Sequence, residues 1–250
     1  MIRDLFLELF KNRRKWIWLV VGAMVGLQLI WGFWNLSRMD ETDLAQGWMY
    51  CLYQNPLLNS IIMPVLTAVI ASRLCDMEHK GQTFRLIRTL QPAGKLFDMK
   101  FLSSTVYIFS AILLQLIGIL LLGYIGRFTD SFPVSRFLDY FLSCTFVSLT
   151  ILLLQQVLSL LWSNQLVSLT VGLLGSFAGL FSLFLPREFQ YLLLWSYYGV
   201  LMPVGMDWDK TTNMATLYWQ PVNWFGYGLL ILLFFMIYFL GRYLFIRKEV

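Results

Sequence analysis

Residues 73–100 read RLCDMEHKGQTFRLIRTLQPAGKLFDMK, a 28-residue hydrophilic stretch set between long apolar segments. It holds six of the 19 Lys and Arg residues and the only histidine. A connection between two packed helices ordinarily needs about 2–8 residues. A stretch of this length between apolar segments has room for a docking element, and what docks there bears on what the protein does.

Working outward, the composition sets the class. The chain is 58% hydrophobic, 17% aromatic and 13% charged, against about 25% charged in ordinary soluble domains. So little polar surface cannot cover a water-facing globule, and the class is integral membrane protein. The 250 residues leave room for one transmembrane domain of roughly six spans, each of about 20 residues. The net charge of +5 is no sign of nucleic-acid binding, because the cations sit in short segments beside apolar spans and report orientation. Cys51, Cys75 and Cys144 show no metal-ligand spacing and read as free, small apolar side chains. A Cys51–Cys144 disulfide stays open, since both fall towards the same end.

The spans read as 16–36, 56–74, 101–125, 137–162, 165–185 and 222–246, with Pro64 expected to kink the second and Ser163-Asn164 closing a tight hairpin between the fourth and fifth. The first apolar run spans a bilayer and no small-residue cleavage pattern follows it, so it reads as a permanent span. Alternate connections divide the cations unequally. The N-terminal segment, the 73–100 stretch and the C-terminal end hold 14 Lys and Arg; the other side holds five, with eight acidic residues. The positive-inside rule then places both termini and residues 73–100 in the cytoplasm. Ile2, Leu5, Phe6, Leu9 and Phe10 recur at helical spacing, with Arg3, Asp4, Glu8 and Lys11 off that face. An amphipathic helix in the inner interface is expected, as an anchor or as a partner contact.

On the opposite side, residues 37–54 are acidic at Asp40, Glu41 and Asp43 and then aromatic at Trp48, Tyr50 and Tyr53. Residues 187–221 carry Trp195, Trp208 and other rings beside Asp207. These segments read as aromatic belts at headgroup level, or as a partly re-entrant helix around 189–202 that shapes an outer gate. Asp40, Glu41, Asp43, Trp195, Asp207 and Trp208 are the candidates for outer recognition. Within the spans the polar side chains are Gln28, Asn59, Gln115, Gln155 and Gln156, and none of them titrates. They read as hydrogen-bonding contacts between helices, with Gln115 and Gln155 as candidates for a polar path. An ion-driven carrier needs a charge at mid-depth, so that class is disfavoured.

The chain carries no G-x-x-x-x-G-K-[ST] phosphate loop and no H-E-x-x-H, and the lone His79 reads as a solvated residue. No catalytic residue, metal or cofactor is expected on this chain.

A membrane part without an engine, joined to a large basic connection, resembles the ABC-2 type permeases. The resemblance rests on Asp76 and Glu78, then Gly81-Gln82-Thr83, the amphipathic turn Phe84-Arg85-Leu86-Ile87-Arg88, then Pro92 and Lys100. Gln82 separates the Gly from the Thr, and Pro92 falls about one residue late. The run Glu78-His79-Lys80-x-x-Thr83 is similar to the lantibiotic (bacteriocin) immunity permeases of that family. The resemblance implies an all-α, six-span architecture like that of type V exporters, in a bacterial plasma membrane. It implies a separate ABC ATPase that carries ATP and Mg, a second permease chain, identical or different, and a peptide or lipid-like substrate expelled from the membrane. It also implies that Glu78, Gly81, Thr83, Phe84, Arg85, Leu86, Ile87 and Arg88 contact the ATPase through a short helix parallel to the membrane. The residue pattern fits, because Phe84 and Ile87 lie on one side and Arg85 and Arg88 on the other. The alternatives are a basic segment that binds lipid headgroups, a membrane anchor or sensor without transport, and an integral membrane enzyme acting on lipid.

The topology is tested by thiol labelling. In cells, Leu90→Cys should stay unlabelled by an impermeant reagent added outside, whereas Asp43→Cys should react. The reverse pattern would overturn the orientation.

Overall fold

The computed structural model describes residues 8–12, 15–81, 92–209 and 214–248. Residues 8–12 are helical. They are followed by α1 (Ile17–Leu36), α2 (Glu41–Leu44), α3 (Gly47–Lys80), α4 (Ala93–Ile125), α5 (Val134–Leu161) and α6 (Gln165–Ser182). Short helices α7 (Arg187–Gln190) and α8 (Tyr197–Val200) flank a 3-10 turn, Leu194–Ser196. Strands β1 (Val204–Asp209) and β2 (Met214–Trp219) and the long helix α9 (Trp224–Arg247) complete the chain. Six helices, α1, α3, α4, α5, α6 and α9, are long and apolar enough to cross a bilayer.

Two of the six are longer than their apolar cores suggested. Helix α3 runs 34 residues, unbroken through Pro56 and Pro64, and α4 begins at Ala93. Most of the 73–100 stretch is therefore helix: residues 73–80 end α3 and 93–100 begin α4. Among the described residues Glu78 and Lys100 pair across α3 and α4, Asp98 pairs with Arg242 of α9, and Lys80 pairs with Asp76 within α3. The α5–α6 hairpin closes as expected, with Asn164 Oδ1 accepting from the Leu166 backbone N–H at 3.0 Å.

Helix α3 is the hub. Its apolar window and that of α5 are both 67% buried, against 22% for α1 and 17% for α9, so α1 and α9 form the outer layer. Helix α6 buries a stripe of small residues, Ser168, Gly172, Gly175, Ser176, Gly179 and Ser182, and meets α3 at Gly172. Stripes of this kind let helix backbones approach closely in lipid, where packing rather than hydrophobicity drives association. At Gly172 a Cβ would stand 2.6 Å from Ala68 Cβ and 3.0 Å from the Pro64 carbonyl oxygen. The ring of Trp195 fills the slot over Gly175.

The β-hairpin departs from the expected all-helical chain. Its strands pair antiparallel, with Val204 opposite Trp219 and Asp209 opposite Met214. At the same end Trp48 is buried, with its ring edge-on to Phe128, Phe132 and Phe137 at centroid distances of 5.0–5.6 Å. It plugs the gap between α4 and α5 and does not belong to an exposed belt. All three cysteines are free and buried, so Cys51 and Cys144 do not pair.

The α3–α6 contact is tested by one substitution. Gly172→Ala forces Ala68 or the α3 backbone to shift and should cost about 1–3 kcal/mol, read as thermal unfolding of the chain in detergent. Gly22→Ala, where a Cβ meets nothing within 4 Å, should be neutral or stabilising.

Candidate functional site

The end of the bundle that gathers residues 8–12, Lys15, the last turns of α3, the first turns of α4 and the end of α9 is the basic end. Its centre is Lys100. This side chain is fully buried, 0% exposed, yet it carries a cation. A buried ammonium group persists only where an anion and hydrogen-bond acceptors replace its water. Both are present: Nζ lies 2.7 Å from Glu78 Oε2 and donates to the Leu74 carbonyl at 2.8 Å. Glu78 is itself 2% exposed and has Lys11 Nζ 3.9 Å from its other oxygen. Lys11 in turn pairs with Glu8 at 2.8 Å.

A second set of contacts surrounds this pair. Asp76 takes Lys80 at 3.0 Å and Lys15 at 3.7 Å. Arg73 Nη1 donates to the Lys15 carbonyl at 2.5 Å. His79 Nε2 lies 2.9 Å from the Ser159 carbonyl of α5, and Lys248 Nζ donates to the carbonyls of Leu160 and Leu161. On α4, Asp98 accepts from the Tyr238 hydroxyl at 2.7 Å and pairs with Arg242 at 3.5 Å. The two helix ends that flank residues 81–92 are thus bound to each other, to residues 8–12 and Lys15, to α5 and to α9.

The expected coupling residues divide accordingly. Glu78 is a buried positioning residue inside this cluster and not a surface contact, because Lys100 needs its carboxylate. Gly81 is exposed just beyond the end of α3. Thr83, Phe84, Arg85, Leu86, Ile87 and Arg88 lie outside the described residues. His79 is not a solvated residue but a tie between α3 and α5. In the N-terminal segment Glu8 and Asn12 are buried while Phe10 is exposed. Over 8–12 the inward face is therefore the polar one, drawn in by Lys11 and by the Asn12 amide, which donates to the Glu8 carbonyl. Lys100 was missed as a site, although a lone cation entering an apolar span after Met99 demands an anion, and Glu78 is the near one.

The path and outer candidates do not converge. Gln115 is fully buried in a network of side chains. Its amide donates to Asn59 at 3.0 Å and to Asn55 at 3.2 Å; Gln28 donates to Asn59 at 2.9 Å, and Asn59 donates to the Tyr140 hydroxyl at 2.9 Å. Gln155 is buried against Ser168 at the α5–α6 contact, 2.7 Å away, and Gln156 donates to the Phe97 carbonyl. These amides join neighbouring helices. Asp40 and Asp43 form a capping box on α2, and Glu41 is exposed in that helix. Trp195 packs on α6. Asp207 and Trp208 are exposed on β1. The expected re-entrant helix at 189–202 is a set of short turns that tuck Tyr197 and Tyr198 into the bundle, with the Tyr198 hydroxyl 2.9 Å from Ser148 Oγ.

Six bilayer-length helices, a buried ion pair at one end and amides that hydrogen-bond between helices at mid-depth define a multi-pass membrane protein. A family model for the ABC-2 family transporter proteins matches residues 5–179, and the chain belongs to that family. It is accordingly the permease subunit of an ABC exporter and non-catalytic, with ATP hydrolysis on a partner ATPase, which sets aside the lipid-enzyme alternative. No curated protein matches the chain.

Breaking the central pair should be costly. Glu78→Gln or Lys100→Met each leaves a buried charge uncompensated and should destabilise the chain by about 3 kcal/mol, measured by thermal unfolding in detergent. Glu78→Leu combined with Lys100→Met should recover most of that loss. A double variant no better than the summed single ones would show that the two charges do not support each other.

Proposed function

We propose that this permease expels an antimicrobial peptide of the lantibiotic type from a bacterial plasma membrane, in an immunity exporter powered by a separate ATPase. The observation that supports the coupling half of this reading is the buried Lys100–Glu78 pair, which joins the end of α3 to the start of α4. With the basic end in the cytoplasm, as the distribution of Lys and Arg supports, residues 81–92 face the ATPase, which binds ATP and Mg. Phe84, Leu86 and Ile87 press into a groove on that partner, and Arg85 and Arg88 flank the contact. Closure of the ATPase subunits on ATP then moves the connection, and the ion cluster passes the displacement to α3 and α4 together. A second permease chain, identical or different, completes the path.

The substrate half rests on the similarity of Glu78-His79-Lys80-x-x-Thr83 to the immunity permeases and on the charge of the far end. The five basic and eight acidic residues assigned to that side attract a cationic peptide, and exposed rings such as Trp208 give it contacts.

Cells that express the chain with its ATPase and any second permease should survive a lantibiotic better than cells with a hydrolysis-dead ATPase. Equal sensitivity across a panel of lantibiotics would sink the peptide substrate and leave the permease untouched. Phe84→Ala with Ile87→Ala should weaken co-purification of the ATPase while the chain still inserts. Undiminished co-purification and protection would remove residues 81–92 from the coupling.

A further inference from the structure

The end of the bundle opposite the ion cluster encloses a cavity of about 550 Å³ between α3, the end of α6, the α7–α8 segment and the hairpin. That volume lies within the roughly 300–1,000 Å³ of sites that take one small molecule. It is too small for a whole antimicrobial peptide. The wall is amphiphilic. Leu57, Leu180 and Phe184 supply an apolar side, and Phe184, 84% exposed, continues the apolar outer face of α6. The rings of Tyr53, Tyr191 and Tyr218 and the amides of Gln190, Gln220 and Asn223 supply a polar side. Gly205 makes room for this wall, because a Cβ there would stand 2.5 Å from the Tyr218 ring.

The charge of the wall is one-sided. Arg187 is the one charged side chain among the described residues that line it. No carboxylate among the described residues forms an ion pair with Arg187, and the neighbouring Glu188 is exposed and outside the lining. A cationic ligand therefore meets the wrong sign here. An anionic group meets a guanidinium suited to forked hydrogen bonds with phosphate, and an alkyl chain meets leucine and phenylalanine continuous with the lipid-facing side of α6. We infer that this cavity binds one lipid with a net anionic phosphate headgroup, seated on Arg187, with its chain along Leu180 and Phe184. The site stands whichever face of the membrane this end occupies, and it does not require the peptide substrate proposed above.

The test is native mass spectrometry of the full chain in detergent, with phosphatidylglycerol or phosphatidylcholine of the same acyl chains added. One phosphatidylglycerol should be retained per chain, with about tenfold preference over phosphatidylcholine, the scale of one charge-assisted hydrogen bond. Arg187→Gln should abolish the preference and Arg187→Lys should keep most of it. Met206→Trp, on the exposed rim, should fill the cavity and lower retention with the guanidinium intact. Equal retention of the two lipids, or a preference unchanged in Arg187→Gln, would overturn the site. Displacement of the lipid by millimolar inorganic phosphate would assign the site to a free anion and overturn the lipid.

Discussion

Hydrocarbon cannot satisfy a polar group, and that constraint falls hardest on α3. Along one helix it carries Asn55, Asn59, Ser60, Thr67, Ser72, Asp76 and Glu78, all buried. Such a helix cannot face lipid. It must be surrounded, and each neighbour supplies part of what it needs. Helix α1 brings Gln28 and α4 brings Gln115 to Asn59, while α5 brings Tyr140. Helix α4 also brings Lys100 to Glu78, and the N-terminal segment brings Lys11 to Glu78 and Lys15 to Asp76. The layout of the bundle follows: the polar helix at the centre and the apolar α1 and α9 outside. Glycine seats then bring the outer layer close. A Cβ at Gly118 would stand 2.2 Å from Leu29, and one at Gly241 the same distance from Val157.

How much of this was legible in the sequence depends on what each residue's neighbours do. The six spans were legible, because a bilayer sets their length and few soluble folds need an apolar run that long. The interhelical role of Gln28, Asn59 and Gln115 was legible too, since an uncharged amide in a span has few other uses. The ends of α3 and α4 were not. Asp76, Glu78 and Lys100 count as hydrophilic whether they face water or one another, so paired charges at 73–80 and 93–100 imitated a connection. The buried place of Glu78 could be seen only with Lys100, 22 residues on and on another helix. The β-hairpin was not legible either, because aromatic and aliphatic residues at 214–219 suit a strand and a membrane interface equally. Ser168, Gly172, Gly175, Ser176 and Gly179 recur in the sequence at intervals of one, three and four. That spacing marks the α6 packing face, which span length and polarity alone do not reveal.

The same stripe accounts for aromatic side chains that suggested recognition but serve structure. Small residues along α6 open a slot, and Trp195 is held over Gly175 and Gly179 to close it. Trp48 does the same over Gly123. Trp208, by contrast, is exposed on β1.

These contacts also limit where a transport path can lie. The polar side chains at mid-depth are turned towards one another. The α1–α4, α3–α6 and α5–α9 contacts are close-packed at Gly118, Gly172 and Gly241. Interfaces packed in this way have discrete arrangements and do not deform continuously. On the proposed reading a push delivered at the basic end moves the helices together, and the gap that opens is not between helices of one chain but between this chain and a second permease, across the exposed faces of the outer layer. The ion cluster at the basic end then has a definite purpose. It ties residues 8–12, Lys15, α3, α4, α5 and α9 into one lever, so that force applied beside residues 81–92 turns the whole subunit against its neighbour.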